Sequence, residues 1–227
     1  MTSGNNGMKV AFIGDSFCSS NMDHSWTDLL AKNINAEIIC RGRGGMSIGQ
    51  AYFDLIEYLD NADIFFMLYT DHRRLFNSQL YPLNTSSCFD FEQRGIKGMV
   101  SHDVNSFPDA DLWDAGLKYF KYIYHQSYHE LVHALIIKQC DSILARHLSA
   151  NPHKKVYHFH CFPADCTTDE FTSGSCCRET LFDLITRHGI NLTEMNENHM
   201  SVQLNAAVAD RMSMLIKNDA GKWFDLP

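Results

Sequence analysis

Lys9-Val10-Ala11-Phe12-Ile13-Gly14-Asp15-Ser16 is the stretch on which the fold turns. A short apolar run closed by glycine marks a buried strand that stops at Gly14. Beyond it, Trp26, Leu29 and Leu30 fall at helical spacing within Trp26–Asn33, and Ala36-Glu37-Ile38-Ile39-Cys40 forms a second short strand. This strand runs into the glycine-dense loop Arg41–Gly49, which completes a β-loop-α-β unit.

The same alternation continues outward. Met46–Leu59 carries Ala51, Leu55, Ile56 and Leu59 at helical intervals. Ile64-Phe65-Phe66-Met67-Leu68-Tyr69 is apolar on both faces, as central parallel strands are. From Phe76 to about Pro108 no period holds, and this stretch reads as an irregular insertion. Asp109–His147 reads as one long helix, or two with a kink. Lys155–Phe162 is a further strand stopped by Pro163, and Leu181–His188 and Ser201–Lys217 supply two more helices.

Strands alternating with helices predict a single α/β domain over residues 1–227. Its sheet is expected to be doubly wound and mostly parallel in a three-layer arrangement, with residues 1–8 as a disordered tail and about 76–150 as an insertion carrying the long helix. Ligands of such sheets bind beyond the carboxyl ends of the strands. The loops after Ile13, Cys40, Tyr69 and Phe162 are therefore expected to converge.

The chain of 227 residues is 45% hydrophobic and 20% charged, enough apolar content for a sizeable core. Its formal charge of −8 argues against broad nucleic-acid or anionic-membrane binding, which draws on clustered Lys and Arg. No apolar run approaches the roughly 20 residues that span a bilayer, and Met1–Met8 is polar. A cytoplasmic protein with its eight cysteines reduced is the expectation, with self-association left open. Adjacent Cys176-Cys177 are read as an irregular loop near the mouth of the site.

Gly14-Asp15-Ser16-Phe17, at the end of the first strand, exposes a serine hydroxyl where a helical turn offers backbone donors to an oxyanion. Gly42-Arg43-Gly44-Gly45-Met46-Ser47 follows the second strand, and Asn196-Glu197-Asn198-His199-Met200-Ser201 precedes the last helix. In these blocks and their order the chain resembles the SGNH (GDSL-like) hydrolases, a family of esterases and deacetylases on an SGNH/flavodoxin-like α/β scaffold. The resemblance covers about Lys9–Arg74 and Lys155–Lys217. It implies Ser16 as nucleophile, His199 as general base, Asn196 at the position of the triad acid, and the Ser16 and Gly45 backbone N–H groups as oxyanion donors. It also implies a small acyl ester or acetylated carbohydrate as substrate, with no cofactor. Asp15, Thr70, His72 and Arg73 are then expected to bind substrate.

Two positions depart from the family pattern. Its third block ends the central strand with Gly-x-Asn-Asp, where this chain reads Thr70-Asp71-His72-Arg73, so a His N–H or an Arg guanidinium stands in for the asparagine donor. Asn196 also stands where the triad acid would be Asp. Glu194, Glu197 or a backbone carbonyl are the available substitutes for orienting His199. A scaffold that has lost catalysis and serves as a binding or assembly module is the alternative reading.

Metal chemistry gives a second alternative. His129-Glu130-Leu131-Val132-His133 spells the His-Glu-x-x-His pattern of zinc peptidases, within a row of histidines at 125, 129 and 133, but no nearby third ligand follows. His158, His160, Cys161, Cys166, Cys176 and Cys177 are ligand types at spacings that do not form a zinc site. No metal is assigned.

Overall fold

The computed structural model describes residues 7–19, 24–77, 83–84, 88, 92–93, 110–163, 171–188, 200–219 and 221–227. Strand β1 (Met8–Ile13) leads through a short 3-10 turn (Ser16–Cys18) to helix α1 (Trp26–Asn33), strand β2 (Ala36–Cys40), helix α2 (Ile48–Tyr58) and strand β3 (Ile64–Tyr69). After β3 come helices α3 (Ala110–Tyr122) and α4 (Gln126–Ala150), then strands β4 (Lys155–His160) and β5 (Ser175–Cys177). Helices α5 (Leu181–Arg187) and α6 (Val202–Asn218) and the short strand β6 (Trp223–Phe224) complete the described elements.

The strands form one six-stranded sheet in the order β2-β1-β3-β4-β5-β6. Every neighbouring pair is parallel. The α/β expectation therefore holds, with a fully parallel sheet. In β3, Ile64, Phe66 and Leu68 join Val10, Phe12, Tyr157 and Phe159 in a core with side chains of α1, α5 and α6. Phe65, Met67 and Tyr69 pack on the other side with Ala11, Ile13 and residues of α2 and α4. Strand alternation thus divides the core into two, and the sheet lies between helix layers.

Rings hold the first of these cores. Phe12 stacks on Phe66 at 4.8 Å, Phe66 on Tyr157 at 5.2 Å, and Trp26 meets Phe12 edge-on at 5.3 Å. Full burial of each such side chain contributes about 1.5–3 kcal/mol. Serine and threonine start the helices: Ser25, Ser47, Thr180 and Ser201 each accept from a backbone N–H three residues on.

One open choice is settled and two local expectations are revised. Of the two readings of the 109–147 stretch, one long helix or two, the second holds in the form of separate helices α3 and α4, with His125 as N-cap of α4. Strand β4 ends at His160 rather than Phe162. Cys176 and Cys177 lie buried in β5 instead of forming a loop. Both β5 and β6 are too short to show a period, and only pairing with their neighbours makes them strands.

Candidate active site at the carboxyl ends of β1 and β3

Strand β1 lies between β2 and β3, so its outgoing chain opens at the point where the strand order reverses. A Cβ on Gly14 would lie 2.6 Å from both Cβ and the carbonyl oxygen of Leu68, so only glycine lets β1 pass β3 this closely. Asp15 is the N-cap of the turn that follows, with Oδ1 accepting from Phe17 N at 3.1 Å. Ser16 is the first residue of that turn and is half-buried.

The glycine loop after β2 closes on this turn. Arg43 N donates to Gly14 O at 3.1 Å. A Cβ on Gly42 would fall 2.3 Å from Cys18 Sγ, 2.6 Å from Asp15 O and 2.7 Å from Gly14 O. Gly45 has φ of +74°, the left-handed region that favours glycine. Arg43 turns to the buried Asp54 of α2, 3.1 Å from its Oδ1, which anchors the loop to that helix. Two of the expected blocks, the Ser16 turn and the Gly42–Gly45 loop, are thereby brought together.

Asp15 is fully buried. Its Oδ2 accepts from Thr70 Oγ1 at 2.8 Å and lies 3.2 Å from Arg74 Nη1. Cys161 Sγ approaches Oδ1 at 3.5 Å. The Arg74 guanidinium also sits over the Phe162 ring, 5.5 Å from its centroid. A buried carboxylate is thus matched by a guanidinium and by donors on both oxygens, as its desolvation requires. Asp15 and Thr70, assigned to substrate from sequence, are bonded to each other and hold the turn to the end of β3.

His72 and Arg73 diverge. Arg73 is exposed and binds Asp71 through Nε at 2.9 Å and through Nη2. Burial raises the Asp71 carboxyl, and the hydrogen bonds from Arg73 outweigh it, leaving it below the usual carboxylate range. His72 is buried, with Nδ1 3.7 Å from Asp71 Oδ1 and Nε2 3.8 Å from Glu130 Oε1. The inward cation is therefore Arg74, not Arg73. Sequence offers two adjacent arginines with no means of choosing between them; in the structure Arg74 is the one at the Asp15 carboxylate, and its backbone forms a bridge with Asn84.

His199 and Asn196 lie outside the described residues, as do Glu194 and Glu197. The residues just after His199 are described. Met200 is buried, and its carbonyl accepts from Asn205 Nδ2 at 3.2 Å. Asn205 Oδ1 accepts from Trp26 N at 2.7 Å, and Trp26 Nε1 donates to Phe17 O at 2.7 Å. This chain of bonds ties the start of α6 to the Ser16 turn. Sequence marks Trp26 only as an apolar helical position and gives Asn205 no role, because each reads as an ordinary helical residue.

The histidines of the His-Glu-x-x-His pattern are engaged elsewhere. His133 Nε2 donates to Thr70 O at 2.7 Å, and His129 Nε2 shares a hydrogen bond with Tyr119 Oη at 2.6 Å. Glu130 accepts from Gln126 Nε2 at 2.7 Å. For the two imidazoles to share a cation through Nε2, both bonds would have to break. Among the described residues, no three His, Cys, Asp or Glu side chains are gathered to hold a metal.

No family model matches the chain, and neither the curated proteins nor the solved structures contain a match.

A second polar cluster lies under α4. The Ser173 carbonyl can only accept, so His158 Nε2 carries a proton and donates to it at 2.9 Å; neutral His158 then accepts the Tyr69 hydroxyl at Nδ1, 2.8 Å away. Burial lowers the His158 imidazole to about 4, against the raising effect of Asp141. For Asp141, burial pushes upward, and donors from Ser173 and Thr172 hold the carboxyl below its ordinary value. His158 is fully buried, so this cluster supports the core rather than meeting a ligand. No described helix is long and apolar enough to cross a membrane.

Proposed function

We propose that this chain is a serine-dependent acyl-ester hydrolase of the SGNH type, acting on a small acyl ester or an acetylated carbohydrate in a reducing cytoplasm. His199 removes the Ser16 Oγ proton as Oγ attacks the acyl carbonyl, and the Ser16 and Gly45 backbone N–H groups receive the oxyanion. The alcohol leaves with a proton from His199, and water then releases the acid by the same steps in reverse role. Asn196 or a neighbouring acceptor orients the imidazole.

The observation that carries this reading is the bonded path Phe17 O to Trp26 to Asn205 to Met200, which supports a Ser16–His199 pairing because it fixes the chain next to His199 against the Ser16 turn. Closure of the Gly42–Gly45 loop on the same turn supports the oxyanion assignment. Seven described cysteines, all buried and free, fit a reducing compartment.

Labelling by a fluorophosphonate probe, alongside p-nitrophenyl acetate turnover, tests the reading in wild type, Ser16→Ala and His199→Ala. Labelling lost in Ser16→Ala, with turnover lost in both variants, is the expected outcome. Folded wild type that neither labels nor turns over ester leaves the scaffold as a binding or assembly module.

A further inference from the structure

An apolar groove of about 440 Å³ opens between α2 and α4. Tyr52 and Phe53 of α2, Val132, Leu135 and Ile136 of α4, and Phe76 from the chain beyond β3 form its walls. Helix α4 is apolar on two sides: Ile137, Cys140 and Leu144 face the core, whereas Leu135 is 56% exposed. Phe53 and Phe76, each about half exposed, lie with ring centroids 5.5 Å apart. Isolated exposed apolar side chains are ordinary, but a concave set of them with this volume has the character of a ligand site.

Position connects the groove to the candidate active site. Phe76 also lines a small pocket formed with Arg43, Met46 and Ser47, the end of the loop that closes on the Ser16 turn. Its ring lies on Gly49, where an added Cβ would come 3.2–3.4 Å from ring and Cβ atoms of Phe76. The absence of a side chain at Gly49 is what seats Phe76 between the two spaces. Phe76 therefore borders both the groove, where Gln139 is a polar side chain on the wall, and the small pocket at the end of the glycine loop, whose other walls include the polar Arg43, Ser47, Gln50 and Asn77.

We propose that this groove is a subsite for an unbranched aliphatic acyl chain. As a substrate site it rests on the hydrolase reading above, and of the two substrates named there it favours the acyl ester over the acetylated carbohydrate, with an acyl chain of medium length. The lining offers burial of methylenes and little to hydrogen-bond a sugar, so the carbohydrate or other alcohol half of a substrate has no place in it.

Two measurements test the proposal. Hydrolysis of p-nitrophenyl esters from acetate to octanoate is expected to rise in kcat/KM by up to about fourfold per added methylene. Leu135→Glu, at a position open enough to accept the change without unfolding, is expected to lower the octanoate-to-acetate ratio by about tenfold or more by placing a charge in the groove. Leu131→Glu, 57% exposed on the same helix but off the groove wall, keeps the wild-type ratio. Independently of turnover, the fluorescent fatty acid cis-parinaric acid is expected to bind Ser16→Ala, and binding is lost on adding Leu135→Glu. A flat chain-length profile in an active enzyme, equal effects of the two glutamates, or no binding of the fatty acid overturns the subsite. Fatty-acid binding sensitive to Leu135→Glu in a protein that hydrolyses no ester keeps the groove as an acyl-chain site and sinks the hydrolase reading instead.

Discussion

Thr70 Oγ1 donates to Asp15 Oδ2 across 2.8 Å, and this bond joins the turn that bears Ser16 to the loop that bears His72. Both partners are buried, so an unmade bond here cannot be replaced by water. Thr70→Val, which keeps the shape and removes the donor, is expected to lower the unfolding free energy by about 1–3 kcal/mol, while Thr70→Ser loses less. Urea titration of the two variants measures the difference, and equal midpoints would show that the hydroxyl contributes nothing.

Arg74 is the countercharge of a fully buried carboxylate, 3.2 Å away. Arg74→Met leaves that carboxylate without its cation and is expected to cost about 3–5 kcal/mol. The same change made on an Asp15→Asn background should cost clearly less, because no stranded charge remains. A double-mutant cycle reads the coupling, and additivity of the two changes would refute the pairing.

Gly42 and Gly44 stand two residues apart with opposite surroundings. A Cβ at Gly42 meets Cys18 Sγ and two backbone oxygens within 2.7 Å, and one at Gly44 meets nothing within 4 Å. Gly42→Ala is therefore expected to destabilise the fold by at least about 2 kcal/mol, and Gly44→Ala to stay within about 0.5 kcal/mol of wild type. Thermal unfolding of both variants decides it.

His158 gives the fold an acid-sensitive core. Its folded pKa is lowered to about 4, below the unfolded value of roughly 6.5, so between these values the unfolded chain holds more protons. Stability is accordingly full above about pH 6.5 and falls as pH drops toward 4, by about 2–3 kcal/mol from this group. Asp141, lowered as well, adds a loss of the same sign at still lower pH. In His158→Gln the slope of unfolding free energy against pH over that window should fall by about one proton. An unchanged slope would place the sensitivity in other histidines.

Much of the framework was legible in the residue pattern. An apolar run ending in glycine, a β3 stretch apolar on both faces, and apolar residues at helical spacing each act within a few residues, so β1, β3 and the helical periods could be read locally, whereas the Ser and Thr caps emerge from the structure. Ser16 and the Gly42–Gly45 loop could be placed because strand ends in such a sheet converge. Strand β5, three residues long, and β6, two residues long, had no period to read.

By itself, the sequence determined the mostly parallel α/β plan, the glycine-rich loop after the second strand, and the serine at the end of the first strand. Tertiary structure alone decided which arginine turns inward, that Asp15 and Thr70 satisfy each other, that Trp26 and Asn205 join α1 to the start of α6, and that Phe76 lies on Gly49 at the head of an apolar groove. The division has a physical cause. Periodicity and capping act over one or two turns of chain, whereas a buried charge finds its partner, and a groove its walls, among residues brought together only by packing.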